Sequence, residues 1–190
     1  MPHKFHPENI DRLLSPERRE KLDSFRVLSL LPVLQYDRIA DIGCGPGYFT
    51  IPFAKHLYDG RIYAIDIQQE MLDAVKEQAD RIRLSNVEVL HYNEGEKLPL
   101  NDEAVDGAFV AFMLHEADSP RELLDEARRI LRRSGWLALL EWHKREMDEG
   151  PPLEIRISED EARVLGQDSG FRIEARYSLN DDQYMLIMRK

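Results

Sequence analysis

Apolar residues along this chain alternate between two periods. Continuous or alternating apolar runs predict strands at 38–40, 61–67, 87–92, 105–113, 136–142, 171–179 and 183–189. Between them apolar residues recur at helical spacing: Phe49, Phe53, Ala54 and Leu57, then Met71, Leu72, Val75, Ala79 and Ile82, then Leu123, Leu124, Ala127, Ile130 and Leu131. Ser15-Pro16-Glu17 reads as a helix N-cap with a first-turn proline and an acidic first turn, opening a charged helix through Leu22. Asp23 caps a more apolar helix carrying Phe25, Val27, Leu28, Leu31 and Leu34, while Ser119-Pro120 and Ser158 open two later helices. Residues 1–7, with His3, Phe5, His6 and two prolines, read as extended. The near-continuous apolar run 105–113 requires burial on both faces of its sheet. Strands alternating with helices predict an α/β fold with a parallel sheet and right-handed crossovers. The last two strands, turning at Asn180-Asp181-Asp182, add an antiparallel pair.

A length of 190 residues gives one domain, with 1–36 as an N-terminal helical extension and 37–190 as the body. The extension either packs on the sheet or forms a lid over the cavity mouth. A net charge of -10 and a pI near 5.1 argue against a nucleic-acid partner held through phosphates. The one cysteine, Cys44, permits no intrachain disulfide and fits a reducing cytoplasm, the expected location. Neither a signal-peptide pattern nor an apolar run of membrane-spanning length is present. His3 and His6 have no ligand set beside them, so no metal is expected.

The stretch that organises the rest is Asp41-Ile42-Gly43-Cys44-Gly45-Pro46-Gly47-Tyr48-Phe49-Thr50, between a predicted strand and a predicted helix. Glycines at alternate positions allow a sharp turn and let a ligand lie on bare backbone, with the following helix offering free N–H groups. An acid two residues before Gly-x-Gly-x-Gly resembles motif I of the class I S-adenosylmethionine (SAM) methyltransferases. It differs from the Gly-x-Gly-x-x-Gly of nicotinamide binders. Asp66, about twenty residues beyond the glycines at a strand end, stands where acids grip ribose hydroxyls in such folds; its plainer role is to cap the next helix. Glu94-Gly95-Glu96-Lys97-Leu98-Pro99 is similar to the family's Asp-x-x-x-Leu-Pro, with glutamate replacing the adenine-binding aspartate. Asn93 is the alternative adenine ligand.

The resemblance covers residues 39–143 and is nearest to small bacterial and archaeal enzymes like the quinone-biosynthesis and arsenite methyltransferases. With Cys44 alone, arsenite is not the substrate. The resemblance implies a Rossmann-like seven-stranded, mostly parallel sheet in the order 3-2-1-4-5-7-6 with helices on both faces. It implies SAM as cofactor and S-adenosylhomocysteine as product, held by Asp41, Gly43, Cys44, Gly45, Gly47, Asp66, Ile67, Met71, Asn93, Glu94 and Met113. Asp41, Asp66 and Glu94 balance the positive charge of that cofactor.

His115 and Glu116 follow the fourth strand at the same sheet edge and are the catalytic candidates, His115 as a general base or, alternatively, a loop histidine bonded to backbone. Trp142 and His143 end the fifth strand beside them, and Arg156 could meet an acidic substrate. The Asn/Asp-Pro-Pro-aromatic signature of many amino-methylating enzymes is absent. Phe112-Met113-Leu114-His115 stands there, which favours a small-molecule acceptor methylated by in-line displacement, in a monomer or homodimer. The rival readings are a non-catalytic SAM-binding protein and a nucleotide-binding oxidoreductase.

Overall fold

Seven strands form one sheet: β1 (Arg38–Ile42), β2 (Arg61–Asp66), β3 (Val87–His91), β4 (Val105–Ala111), β5 (Leu131–Trp142), β6 (Arg172–Ser178) and β7 (Gln183–Arg189). Their order is β3-β2-β1-β4-β5-β7-β6, with β1 to β5 parallel to one another and β7 antiparallel to both β5 and β6. The computed structural model describes residues 10–93 and 95–190. The extended reading of 1–7, the histidines His3 and His6, and Glu94 lie outside the described residues.

Two-residue alternation along each strand sorts the core into two layers. Ala40, Ile42, Ala108, Val110, Leu137, Leu139, Tyr184 and Leu186 face one side, under α6 (Pro120–Ile130) and α7 (Glu159–Asp168). Ile39, Phe109, Trp136, Ala138, Leu140, Met185 and Ile187 face the other, under α3 (Ser24–Ser29) and α4 (Thr50–His56). The amphipathic α5 (Gln69–Arg81) seats Leu72 and Val75 near β2 and β3. The central strand β4 is therefore apolar on both faces from Gly107 to Ala111. The edge strand β6 alternates exposed Arg172, Glu174 and Arg176 with half-buried Ile173, Ala175 and Tyr177.

Gly107 on β4 lies against the Trp136 ring, and a Cβ there would overlap it. Trp136 is almost fully buried, so the ring has little room to move. Gly107→Ala is expected to lower the unfolding free energy by about 1–3 kcal/mol, read as a shifted urea midpoint. An unmoved midpoint would show that the indole can relocate.

The expected caps form. Ser15 accepts from Arg18 N, Asp23 from Phe25 N, and Ser119 from Glu122 N, and Ser158 makes a full capping box with Glu161. Several boundaries differ from expectation. The apolar N-terminal helix stops at Ser29, because Pro32 disfavours helical geometry just before it, and Phe25 and Leu34 are exposed. Ile82 leaves the core face as the C-cap of α5. β4 ends at Ala111, since Phe112 takes φ +59°. β5 starts at Leu131 rather than at 136: Leu131 leaves α6 in extended geometry and pairs with Val105, and the ladder resumes at Gly107↔Trp136 past a bulge containing Ser134 at φ +65°. A short helix, α1 (Ile10–Leu13), precedes α2 (Pro16–Lys21) and had no sequence signal of its own.

Candidate functional site

The C-terminal ends of β1, β2, β4 and β5 open into a cavity of about 920 Å³. Open α/β sheets bind ligands at this edge. Its floor includes Asp41, Gly43, Cys44, Gly45 and Pro46 from the glycine loop, with Asp66, Ile67 and Met71 beyond β2. The loop itself, rather than a helix start, faces the cavity. Winding begins before α4, with Ile51 N donating to Gly47 O and Phe53 N to Phe49 O, so the first turn has fewer free N–H groups than expected.

Asp66 organises the loop. Its Oδ2 accepts from Gly45 N and its Oδ1 from Gln68 N, both at 2.9 Å. Asp66 thus ties the glycine loop to Gln68, the residue before α5, while α5 itself begins without a side-chain cap. Burial pushes its pKa up, and the hydrogen bonds from Gln68, Gly45 and Ile67 pull the other way. Asp41 is more enclosed, accepting from Thr50 Oγ1 at 2.6 Å. Burial pushes its carboxyl up to about 7, with the Thr50 bond opposing and the charge of Asp66 adding. The Cys44 thiol is pushed up by burial and by both acids, which makes it a poor nucleophile and fits a filler. At Gly43, φ is +71° and the Met113 side chain covers the spot a Cβ would take. Gly45, with only Leu13 Cδ1 near at 3.9 Å, keeps its backbone open.

Across the cavity lies a pair that sequence reasoning missed. His115 Nδ1 is 2.8 Å from Glu141 Oε2, with both side chains nearly buried. Glu141 Oε1 accepts from Leu114 N and His115 N, and Oε2 also accepts from Trp142 N. His115 Nε2 lies 3.9 Å from Glu116 Oε1. Burial alone would lower the His115 pKa; the hydrogen bond and charge of Glu141, with Glu116, outweigh it and the net shift is upward. The sequence shows Glu141 only as an acid near the end of the apolar run 136–142, with nothing that links it to His115.

The remaining wall holds Phe112, Met113, Leu123 and Trp142, with the Phe112 and Trp142 rings 5.2 Å apart. Phe112 pays for its place with a left-handed backbone, a conformation that clusters at functional sites. Leu13, Ser15, Glu17, Arg18, Lys21 and Leu22 line the same cavity, while α3 packs on the sheet. Lys21 Nζ pairs with Glu149 at 2.5 Å, and Asn180 Nδ2 donates to Lys21 O. The Tyr48 hydroxyl donates to Leu22 O.

Some expected residues stand elsewhere. Asn93 is exposed, and its amide donates to Glu96 rather than lining the cavity. Gly47 closes the loop behind it, against Val75. His143 faces a separate polar surface cleft and stacks near Tyr184 at 5.4 Å. Arg156 is buried and donates to the carbonyls of Pro151, His143, Arg145 and Glu149, so it ties a loop. Among the described residues no cluster of His, Cys, Asp or Glu could hold a metal ion, and no helix is long and apolar enough to cross a membrane.

Residues 40–139 match the family pattern described as Methyltransferase domain. The crystal structure of a SAM-dependent methyltransferase from Aquifex aeolicus is 34% identical, aligns over 98% of this chain and 99% of that one, and superposes with a TM-score of 0.92. The biotin biosynthesis bifunctional protein BioHC of Teredinibacter turnerae is 31% identical over 106 residues, 53% of this chain and 19% of that protein. A demethylmenaquinone methyltransferase of Bacillus mycoides is 27% identical over 125 residues, 65% of this chain and 52% of that protein. The chain spans about half or less of the length of these curated relatives.

Proposed function

The chain belongs to the class I SAM-dependent methyltransferase family, and from that premise we propose that it transfers a methyl group from SAM to a small-molecule acceptor bound in this cavity. The observation that carries the reading is the Asp66 carboxylate on the cavity floor, bonded to Gly45 N beside open glycine backbone. Asp66 keeps spare lone pairs for ribose hydroxyls. Two buried acids with raised pKa values, Asp41 and Asp66, form a cavity floor short of positive charge, which fits a cofactor bearing a sulfonium and an ammonium. Ile67 and Met71 supply apolar surface for an adenine ring. When bound, SAM supplies an electrophilic methyl group, displaced in line onto the acceptor with release of neutral S-adenosylhomocysteine.

The chain's own part is to orient, enclose and handle a proton. Glu141 fixes the His115 ring through Nδ1, which leaves Nε2 to take a proton from an acceptor O–H or N–H. Phe112, Trp142 and Met113 provide an apolar wall that suits a small organic acceptor, and α1 and α2 act as the lid.

Calorimetric titration with SAM tests the reading, followed by a screen of small molecules for isotopic methyl uptake. No SAM binding with protection by a nicotinamide cofactor would select the oxidoreductase rival, and SAM binding without turnover would select the non-catalytic one.

The titration also has a pH signature. The Asp41 pKa is raised from 3.8 to about 7, so this group's contribution to stability is full below about 4 and is lost as pH rises through about 7. A bound cation favours the ionised form. SAM affinity should therefore rise between about pH 6 and pH 8, by up to about tenfold per unit, and Asp41→Asn should flatten the profile. A wild-type profile as flat as the variant's would separate Asp41 from the cofactor.

A further inference from the structure

Arg18 is a cation on the cavity wall, and among the described residues no carboxylate pairs with it. Its guanidinium carbon lies 4.6 Å from the Tyr48 ring centroid and 5.6 Å from that of Phe112, stacking that suits a planar delocalised cation. Nη1 donates to Leu13 O at 3.3 Å, and no other side-chain donor of Arg18 finds an acceptor among the described residues. Burial pushes its pKa down to about 10, offset only by the Tyr48 phenol, so it stays charged at neutral pH without a carboxylate acting on it. Of the other lysines described on the cavity wall, Lys21 pairs with Glu149, and Lys97 lies in the field of Asp102 and Glu126.

A guanidinium fork with free N–H groups, held flat by two rings, matches a carboxylate in a two-pronged grip. The acids Glu17, Glu116 and Glu149, which line the same cavity, disfavour a multiply charged anion such as phosphate. We propose that Arg18 is a carboxylate-binding site in the wall of the cavity, its guest belonging either to the amino-acid end of the cofactor or to an acidic methyl acceptor. The proposal rests on the SAM reading above and extends it to the chemistry of the ligand's far end.

Calorimetry of the wild type, Arg18→Met and Arg18→Lys separates the sources. Three probes are used: S-adenosylhomocysteine; methylthioadenosine, which keeps the adenosine and thioether but has no carboxylate; and, on protein saturated with S-adenosylhomocysteine, a panel of arylalkanoic acids beside their amides. Methionine at 18 keeps an apolar stem of comparable length while removing the guanidinium that lies over Tyr48 and Phe112, and methylthioadenosine binding shows that the floor is intact. Arg18→Met should weaken a carboxylate-bearing probe by about 10- to 100-fold, Arg18→Lys by less, and methylthioadenosine not at all. Weakened S-adenosylhomocysteine identifies the cofactor's carboxylate as the guest. Unchanged S-adenosylhomocysteine, with acids outcompeting amides only when Arg18 is present, identifies the acceptor's. Equal S-adenosylhomocysteine binding in all three proteins, with acids and amides indistinguishable in the wild type, would overturn the proposal. Failure of both adenosine probes to bind the wild type would overturn the cofactor reading first, and this one with it.

Discussion

Asp66→Ala is expected to weaken SAM and S-adenosylhomocysteine binding by about 10²- to 10⁴-fold. The carboxylate is assigned two ribose hydroxyls, and a hydrogen bond to a charged group contributes about 1.5–3 kcal/mol. Its second duty deepens the loss. Oδ2 holds Gly45 N and Oδ1 holds Gln68 N, so the alanine also releases the glycine loop and the entry to α5. The apo protein should stay folded by circular dichroism, because burial already makes the ionised Asp66 costly and its removal relieves that term. Asp66→Asn, which keeps an acceptor but no charge, should fall between the two. Affinity within twofold of wild type in Asp66→Ala would remove this residue from the cofactor site.

The second large effect is expected at Glu141. One carboxylate receives the His115 ring and the N–H groups of Leu114, His115 and Trp142. Glu141→Ala leaves those donors buried without an acceptor and should destabilise the fold by about 3–5 kcal/mol. Glu141→Gln is the informative variant. It keeps the shape but turns one oxygen into a donor, which misorients the imidazole and should cut turnover on the order of 10²-fold with SAM affinity kept. The pH dependence carries a sign. Glu141 and Glu116 raise the His115 pKa against burial, so the base becomes neutral only above its ordinary value and the rising limb of kcat/KM lies on the alkaline side of it. Without the Glu141 charge, burial prevails and the limb should move to lower pH. A limb that stays in place in Glu141→Gln would show that His115 is not the base.

The individual strands and helices and the glycine loop were legible because each is local, whereas the sheet order followed from the family resemblance. Each strand and helix carries its own periodicity, and the loop and Asp66 lie within one strand–helix–strand unit. Boundaries were less legible where one residue overrules a pattern: Pro32 cut short a helix whose apolar spacing ran on to Leu34, and Phe112 in a left-handed conformation ended a strand whose sequence stays apolar. The His115–Glu141 pair was not legible at all, since its members are brought together only by the pairing of β4 with β5. Glu141 beside Trp142 reads as an ordinary strand-end acid. Arg18 was hidden in a charged run, Glu17-Arg18-Arg19-Glu20, where only the fold distinguishes the one arginine lying over aromatic rings. Arg156, the expected partner for an acid, proved to be saturated by backbone carbonyls.

The antiparallel addition has a consequence for the molecule's behaviour in solution. β6 is a sheet margin, and a margin with unpaired backbone groups can recruit foreign strands. Here Arg172, Glu174 and Arg176 project from it, Arg176 is tied to Glu159 and Glu174 to Arg189, and the register slips between Ile173 and Ala175. Stripping those charges of water and straightening that kink would both oppose the docking of another strand. That border is thereby a poor template for a foreign strand.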